Sequence, residues 1–125
     1  MNNKVTDEDM KKIPAMFEKS DNYCLEDREL HRADKTDSEM HNLVWSEAAK
    51  LRTDGKLLEV FQKINSKIYL IQGVYDPHPI NGVVMPLQEN NISCKTYVLD
   101  KCGHSPFMEK YASNEFYNIL SEIIS

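Results

Sequence analysis

Two stretches decide how this chain folds. The first is Lys67-Ile68-Tyr69-Leu70-Ile71, running into Gly73-Val74-Tyr75-Asp76-Pro77-His78-Pro79. The second is Thr96-Tyr97-Val98-Leu99, running into Lys101-Cys102-Gly103-His104-Ser105-Pro106-Phe107. Each starts as a compact run of residues that suit strands, and each stops at a polar turn carrying glycine and proline. A near-continuous apolar run such as the first reads as a strand buried on both faces. Between the two, Pro79 opens a helix with Val83, Val84 and Leu87 facing inward, and Pro86 makes it short or distorted. Residues 107–124 read as a last helix, buried along Met108, Ala112, Phe116, Ile119, Leu120 and Ile123. Strand, helix, strand, helix is the order of a parallel sheet covered by helices.

Residues 1–64 have a different character, helical and polar, and residues 65–125 form the αβ segment; together they make one structural unit. Thr6 is the expected N-cap of a first helix, with Asp7, Glu8 and Asp9 favourable at its positive end. Met10, Ile13 and Phe17 share a face. Pro14 interrupts them and predicts a kink or a second short helix. Residues 21–35 are highly charged and read as loop or weak helix. Asp37 or Ser38 caps a further helix, whose Met40, Leu43, Val44, Ala48 and Leu51 form an apolar stripe. Trp45 beside it reads as packing. Gly55 ends or bends this helix, and Leu57, Leu58, Phe61 and Ile64 form a short amphipathic stretch after it.

The chain has 125 residues, the size of one domain, and a formal net charge of −5. Its basic residues are scattered among acids, which argues against nucleic acid and against an anionic membrane surface. No apolar run approaches the length of a membrane helix, and the N-terminus lacks the apolar core of a signal peptide. Cys24, Cys94 and Cys102 are too few and too irregularly spaced for a disulfide framework, so free thiols in a reducing cytoplasm are expected. His31 and His41 read as surface residues, and Cys102 as a small, partly buried thiol.

In an open parallel sheet, functional groups gather beyond the carboxyl ends of the strands. Asp76 and His104 occupy that position after the two predicted strands, 28 residues apart. Strand–Gly-x-x-Asp-Pro, then strand–Cys-Gly-His-x-Pro-aromatic-x-Glu, resembles the last two motifs of α/β-hydrolases of the esterase, lipase and proline-iminopeptidase type. The resemblance covers roughly residues 40–125, since Trp45-Ser46-Glu47-Ala48-Ala49-Lys50-Leu51-Arg52 is similar to the segment leading from that family's cap into its core. It implies a partial α/β-hydrolase fold: the last two parallel strands, flanking helices and an N-terminal helical, cap-like region. It further implies that Asp76 matches the acid of a Ser-His-Asp triad and His104 its base, in the family's chain order. Gly103 and Pro106 would shape the loop that aims His104 over the strand ends.

The third member of that triad is missing from the sequence. No Gly-x-Ser-x-Gly occurs, and Ser105 cannot easily reach the ring of its own neighbour. The lone chain is therefore expected to hydrolyse nothing at a useful rate. A zinc site built from His78, Cys102 and His104 with Asp76 fits no standard spacing, so neither metal nor cofactor is expected. Two strands do not make a self-sufficient sheet. Either a separate N-terminal hydrolase half supplies the rest, serine included, or the chain self-associates as a catalytically inactive homodimer. Folding of the helical region over the open edge would leave a monomer.

Overall fold

The computed structural model describes residues 4–26 and 37–125 of the chain. His31 and most of the charged connector lie outside the described residues. The architecture is mixed α/β, with five α-helices and one two-stranded parallel sheet among the described residues. Strand β1 (Ile68–Gly73) pairs with β2 (Cys94–Leu99), from Ile68 opposite Cys94 to Gly73 opposite Leu99. Relative to the runs that predict them, β1 starts one residue later and continues to Gly73, and β2 starts two residues earlier. Cys94 and Lys95 are strand because Ile68 and Tyr69 pair with them, not through propensity of their own.

Burial departs from the expectation for β1. Ile68, Tyr69, Leu70 and Ile71 are only half-buried, and burial is complete only at Gln72 and Gly73. β2 leaves Lys95, Thr96 and Val98 exposed and buries Leu99. A sheet of two strands lacks the neighbouring strands that enclose a central one, so neither outer edge has a strand partner and part of each face stays open. The core gathers instead at the carboxyl end of the sheet. There Leu99, Cys102, Ala112 and Ile119 pack together, flanked by Ile71, Tyr97, Phe116 and Ile123.

The crossover helix is Asn81–Glu89, starting two residues after Pro79 and carrying Pro86 inside its nine residues. Leu87 is buried and Val84 half-buried, three positions apart on one face. Val83, four positions before Leu87, lines a groove together with it but stays exposed, short of the burial expected of it. The last helix is also shorter than its apolar pattern. A 3-10 turn (Pro106–Met108) and an extended Glu109 precede a helix that begins only at Ser113 and ends at Ile124. Extension at Glu109 has a definite cause: its backbone bridges antiparallel to Leu25. Lys110 N–H donates to the Cys24 carbonyl, and Glu26 N–H to that of Met108.

Among the described residues, three helices stand ahead of the sheet. The first (Asp7–Asp21) opens with a full capping box between Thr6 and Asp9. It runs through Pro14 as one element; no second helix starts there. Asp37 caps the next (Ser38–Thr53), accepting from Met40 N–H at 2.9 Å. Gly55, at φ +71°, then turns the chain into a short helix (Lys56–Gln62), a conformation that favours glycine. The apolar stripe expected on Ser38–Thr53 is not a buried one. Met40, Leu43, Val44 and Trp45 are all more than half exposed, and only Ala48 and Leu51 are half-buried. Polar bonds tie this helix to the start of the first: Ser38 N–H donates to Asp7 Oδ1, and the Asn42 amide reaches both Val5 N–H and the Val5 carbonyl just ahead of it. No described helix is long and apolar enough to cross a membrane.

Candidate active site

The two strands run side by side in the same direction, so the loops that follow them emerge side by side. Backbone bonds lock those loops together. Val74 N–H donates to the Leu99 carbonyl at 2.9 Å, and Tyr75 N–H to that of Cys102 at 2.8 Å. Gly73 sits so close to the Cys102 and Gly103 carbonyls that a Cβ there would collide with both. The contact requires glycine for lack of space, not for its backbone angles. A tight turn then places Asp76 N–H on the Gly73 carbonyl at 3.2 Å.

On the second loop, Gly103 is wedged against the end of the first helix. A side chain at 103 would strike the Asp21 carbonyl and Asn22. His104 N–H donates to that same Asp21 carbonyl at 2.6 Å. The helical N-terminal region is therefore one wall of the histidine loop.

These constraints bring Asp76 and His104 together, with Asp76 Oδ2 3.0 Å from His104 Nδ1. The other oxygen, Oδ1, accepts from His78 N–H at 2.8 Å and lies 3.0 Å from His78 Nδ1. The two imidazoles face each other across the carboxylate, centroids 5.2 Å apart. Asp76 is largely covered, its side chain 9% exposed, whereas that of His104 is 53% exposed. Burial pushes the Asp76 carboxyl up. The bonds from His78 N–H and from both imidazoles outweigh it and hold the group below its ordinary value of 3.8. Asp76 is thus an anion at neutral pH, placed to fix a histidine ring. Among the described residues no group bonds Nε2 of His104, and no serine hydroxyl bonds either ring nitrogen. A hollow of about 230 Å³ opens beside the ring, with Phe17, Leu25 and Met108 in its lining.

Cys102 is no nucleophile. The residue is fully buried, not partly, and its Sγ lies 3.5 Å from the Gly103 carbonyl. Burial, and then the charges of Glu109, Asp76 and Glu115, push its thiol up to about 11. The sulfur is neutral at physiological pH and far from the reactive thiolate form.

Glu109 plays a part that its sequence position does not disclose. It is fully buried and accepts from three backbone N–H groups: Tyr23 at 2.7 Å, Cys24 at 2.7 Å and Gly103 at 2.8 Å. One side chain thereby clasps residues 23–24 to the loop carrying His104. The signal was a lone acid between Met108 and the buried Ala112, a hint that a charge must be satisfied inside. His78 likewise joins the carboxylate, which its place in the loop makes possible but does not require. No family model, curated protein or solved structure matches this chain.

Proposed function

We propose that Asp76 and His104 are the acid and base of a hydrolytic triad on a partial α/β-hydrolase fold, serving a serine that a separate N-terminal half supplies. The observation that carries this reading is the 3.0 Å contact between Asp76 Oδ2 and His104 Nδ1, with the opposite ring nitrogen open. A carboxylate on Nδ1 fixes the tautomer in which Nε2 holds a lone pair, and it stabilises the imidazolium once Nε2 takes a proton. Nε2 is then the atom that would deprotonate a serine and return the proton to the leaving group of an ester or amide. The apolar hollow beside the ring offers room for part of such a substrate.

On this reading the lone chain is inactive. Losing the nucleophile of a triad costs about a million-fold. The test is a serine-directed fluorophosphonate and an activated ester, offered to the chain alone and then with a Gly-x-Ser-x-Gly-bearing half. The proposal expects no labelling of the lone chain. With the second half present, it expects labelling and turnover that both fall when His104→Ala is introduced. Turnover in the complex that ignores His104→Ala and Asp76→Asn rejects it. Three unpaired thiols support a cytoplasmic setting.

A second reading has its own observation. Met40, Leu43, Val44 and Trp45 leave one helix with an exposed apolar surface. A groove of about 580 Å³ between the short helix, β1 and the crossover helix is lined by Leu57, Leu58, Phe61, Leu70 and Leu87. Apolar surface of this kind drives association. The alternative is therefore a catalytically inactive remnant that pairs with a second copy of itself. Light scattering separates the two: a homodimer indifferent to a serine-bearing half favours the remnant.

A further inference from the structure

We propose that Asp76, His78 and His104 form a binding site for a divalent transition metal of the zinc class, with His78 as the ligand for which triad chemistry has no use. The three residues offer a carboxylate oxygen and two imidazole nitrogens, all within 4.8 Å of one another. Both imidazoles turn Nδ1 toward the same carboxylate, at 3.0 Å each. A metal ion replaces protons at converging imidazole nitrogens. Ligand distances of about 2.0–2.2 Å around zinc put neighbouring donor atoms roughly 3.3 Å apart. Each ring is already within that spacing of one carboxylate oxygen, His78 of Oδ1 and His104 of Oδ2. A modest convergence of the two imidazoles onto one ion remains, and the His78 side chain, 71% exposed, has room to make it.

The backbone supports this arrangement. Asp76 and His104 sit on loops locked by Tyr75 N–H on the Cys102 carbonyl and His104 N–H on the Asp21 carbonyl. Asp76 N–H and His78 N–H both close the turn that presents the first two ligands. Cys102, which lies beside this set in sequence, is removed by the structure, since its sulfur is enclosed beside the Gly103 carbonyl. Two imidazoles and one carboxylate suit zinc, copper, nickel or iron rather than magnesium or calcium, which demand oxygen. Three protein ligands leave a position for water or an outside ligand. A metal here takes Nδ1 of His104 away from Asp76, so metal-bound and base-competent states exclude each other. The inference stands on geometry and does not require the hydrolytic reading.

The experiment titrates untagged protein with Zn²⁺ by calorimetry, with Mg²⁺ as control, and repeats it on His78→Ala, His104→Ala and Asp76→Asn. The expected result is one Zn²⁺ per chain, no Mg²⁺ binding, and affinity lowered at least about 10–100-fold in each variant. His78 is exposed and outside the core, so His78→Ala keeps the fold, which circular dichroism verifies. No Zn²⁺ binding by the natural sequence overturns the proposal. So does Zn²⁺ binding unchanged in His78→Ala, or a thiolate charge-transfer band with Co²⁺, which would put the metal on a cysteine. His78→Ala leaves the Asp76–His104 contact in place. The ring tautomer of His104 in that variant therefore tests the hydrolytic reading separately.

Discussion

Replacing Glu109 with glutamine changes one oxygen into an NH₂ group and removes a charge, at almost constant volume. In the native clasp Oε1 accepts two N–H groups, from Tyr23 and Gly103, and Oε2 accepts one, from Cys24. In Glu109→Gln the remaining amide oxygen keeps the Oε1 role, and the amide nitrogen then faces Cys24 N–H, donor against donor. Each retained bond drops from a charge-assisted to a neutral one, a loss of about 1 kcal/mol apiece. The third bond is gone and its donor is left partly buried and unpaired, a further ~1–3 kcal/mol. The expected destabilisation is therefore about 3–5 kcal/mol, a large share of what a domain this size possesses. Urea unfolding followed by far-ultraviolet circular dichroism reads it directly. With a slope near 2 kcal/mol/M, typical of small proteins, the midpoint should fall by about 2 M. The same variant should loosen the His104 loop, since Gly103 loses part of its anchor. A midpoint within about 0.5 M of the natural sequence would refute the clasp as a determinant of stability.

Three further outcomes follow from the same structure. Gly73→Ala should separate the two strand-end loops, because a Cβ there meets the Cys102 and Gly103 carbonyls; the chain should lose about 2 kcal/mol or more, and the His104 ring resonances should move toward those of Asp76→Asn. Thr6→Ala removes the capping box of the first helix and should cost about 1 kcal/mol in a urea midpoint without disturbing the ring resonances of His104. Cys102 should resist iodoacetamide at pH 8 in the folded chain and react on unfolding, as mass spectrometry of the alkylated peptides would show. Its raised value also fixes a sign: between about 9, the ordinary thiol value, and about 11, the folded state keeps a proton that the unfolded chain gives up, so stability is intact below this window and falls as pH rises through it. Urea midpoints from pH 8 to 11 should decline more steeply for the natural sequence than for Cys102→Ser.

How much of this was legible in the residues depends on how local each feature is. The strands announce themselves at Ile68–Ile71 and Thr96–Leu99 by apolar β-formers ended by turns. Parallel pairing across a crossover helix then makes Asp76 and His104 neighbours, because both follow the same ends of adjacent strands. Capping at Thr6, and at Asp37 as one of two adjacent candidates, was readable for the same reason: a cap is a bond across three residues. Exposure was not. Periodicity at Met40, Leu43 and Val44 says which face of a helix is apolar, and nothing in a helical pattern says whether anything covers that face. Glu109 was hidden because its three donors lie at residues 23, 24 and 103, two of them some eighty-five positions away. The same distant pairing explains why the last helix begins at Ser113 and not Phe107: Leu25 holds Glu109 extended, and local propensity loses to a tertiary contact.

The central claim is that Asp76 holds His104 as a poised base, and the most direct test is the protonation pattern of one ring. Long-range proton–nitrogen NMR of the imidazoles at a mildly alkaline pH assigns the proton to Nδ1 or Nε2. The account predicts His104 with its proton on Nδ1, against the carboxylate, and a bare Nε2, with that preference lost in Asp76→Asn. A ring carrying its proton on Nε2, or a tautomer indifferent to Asp76→Asn, would contradict it.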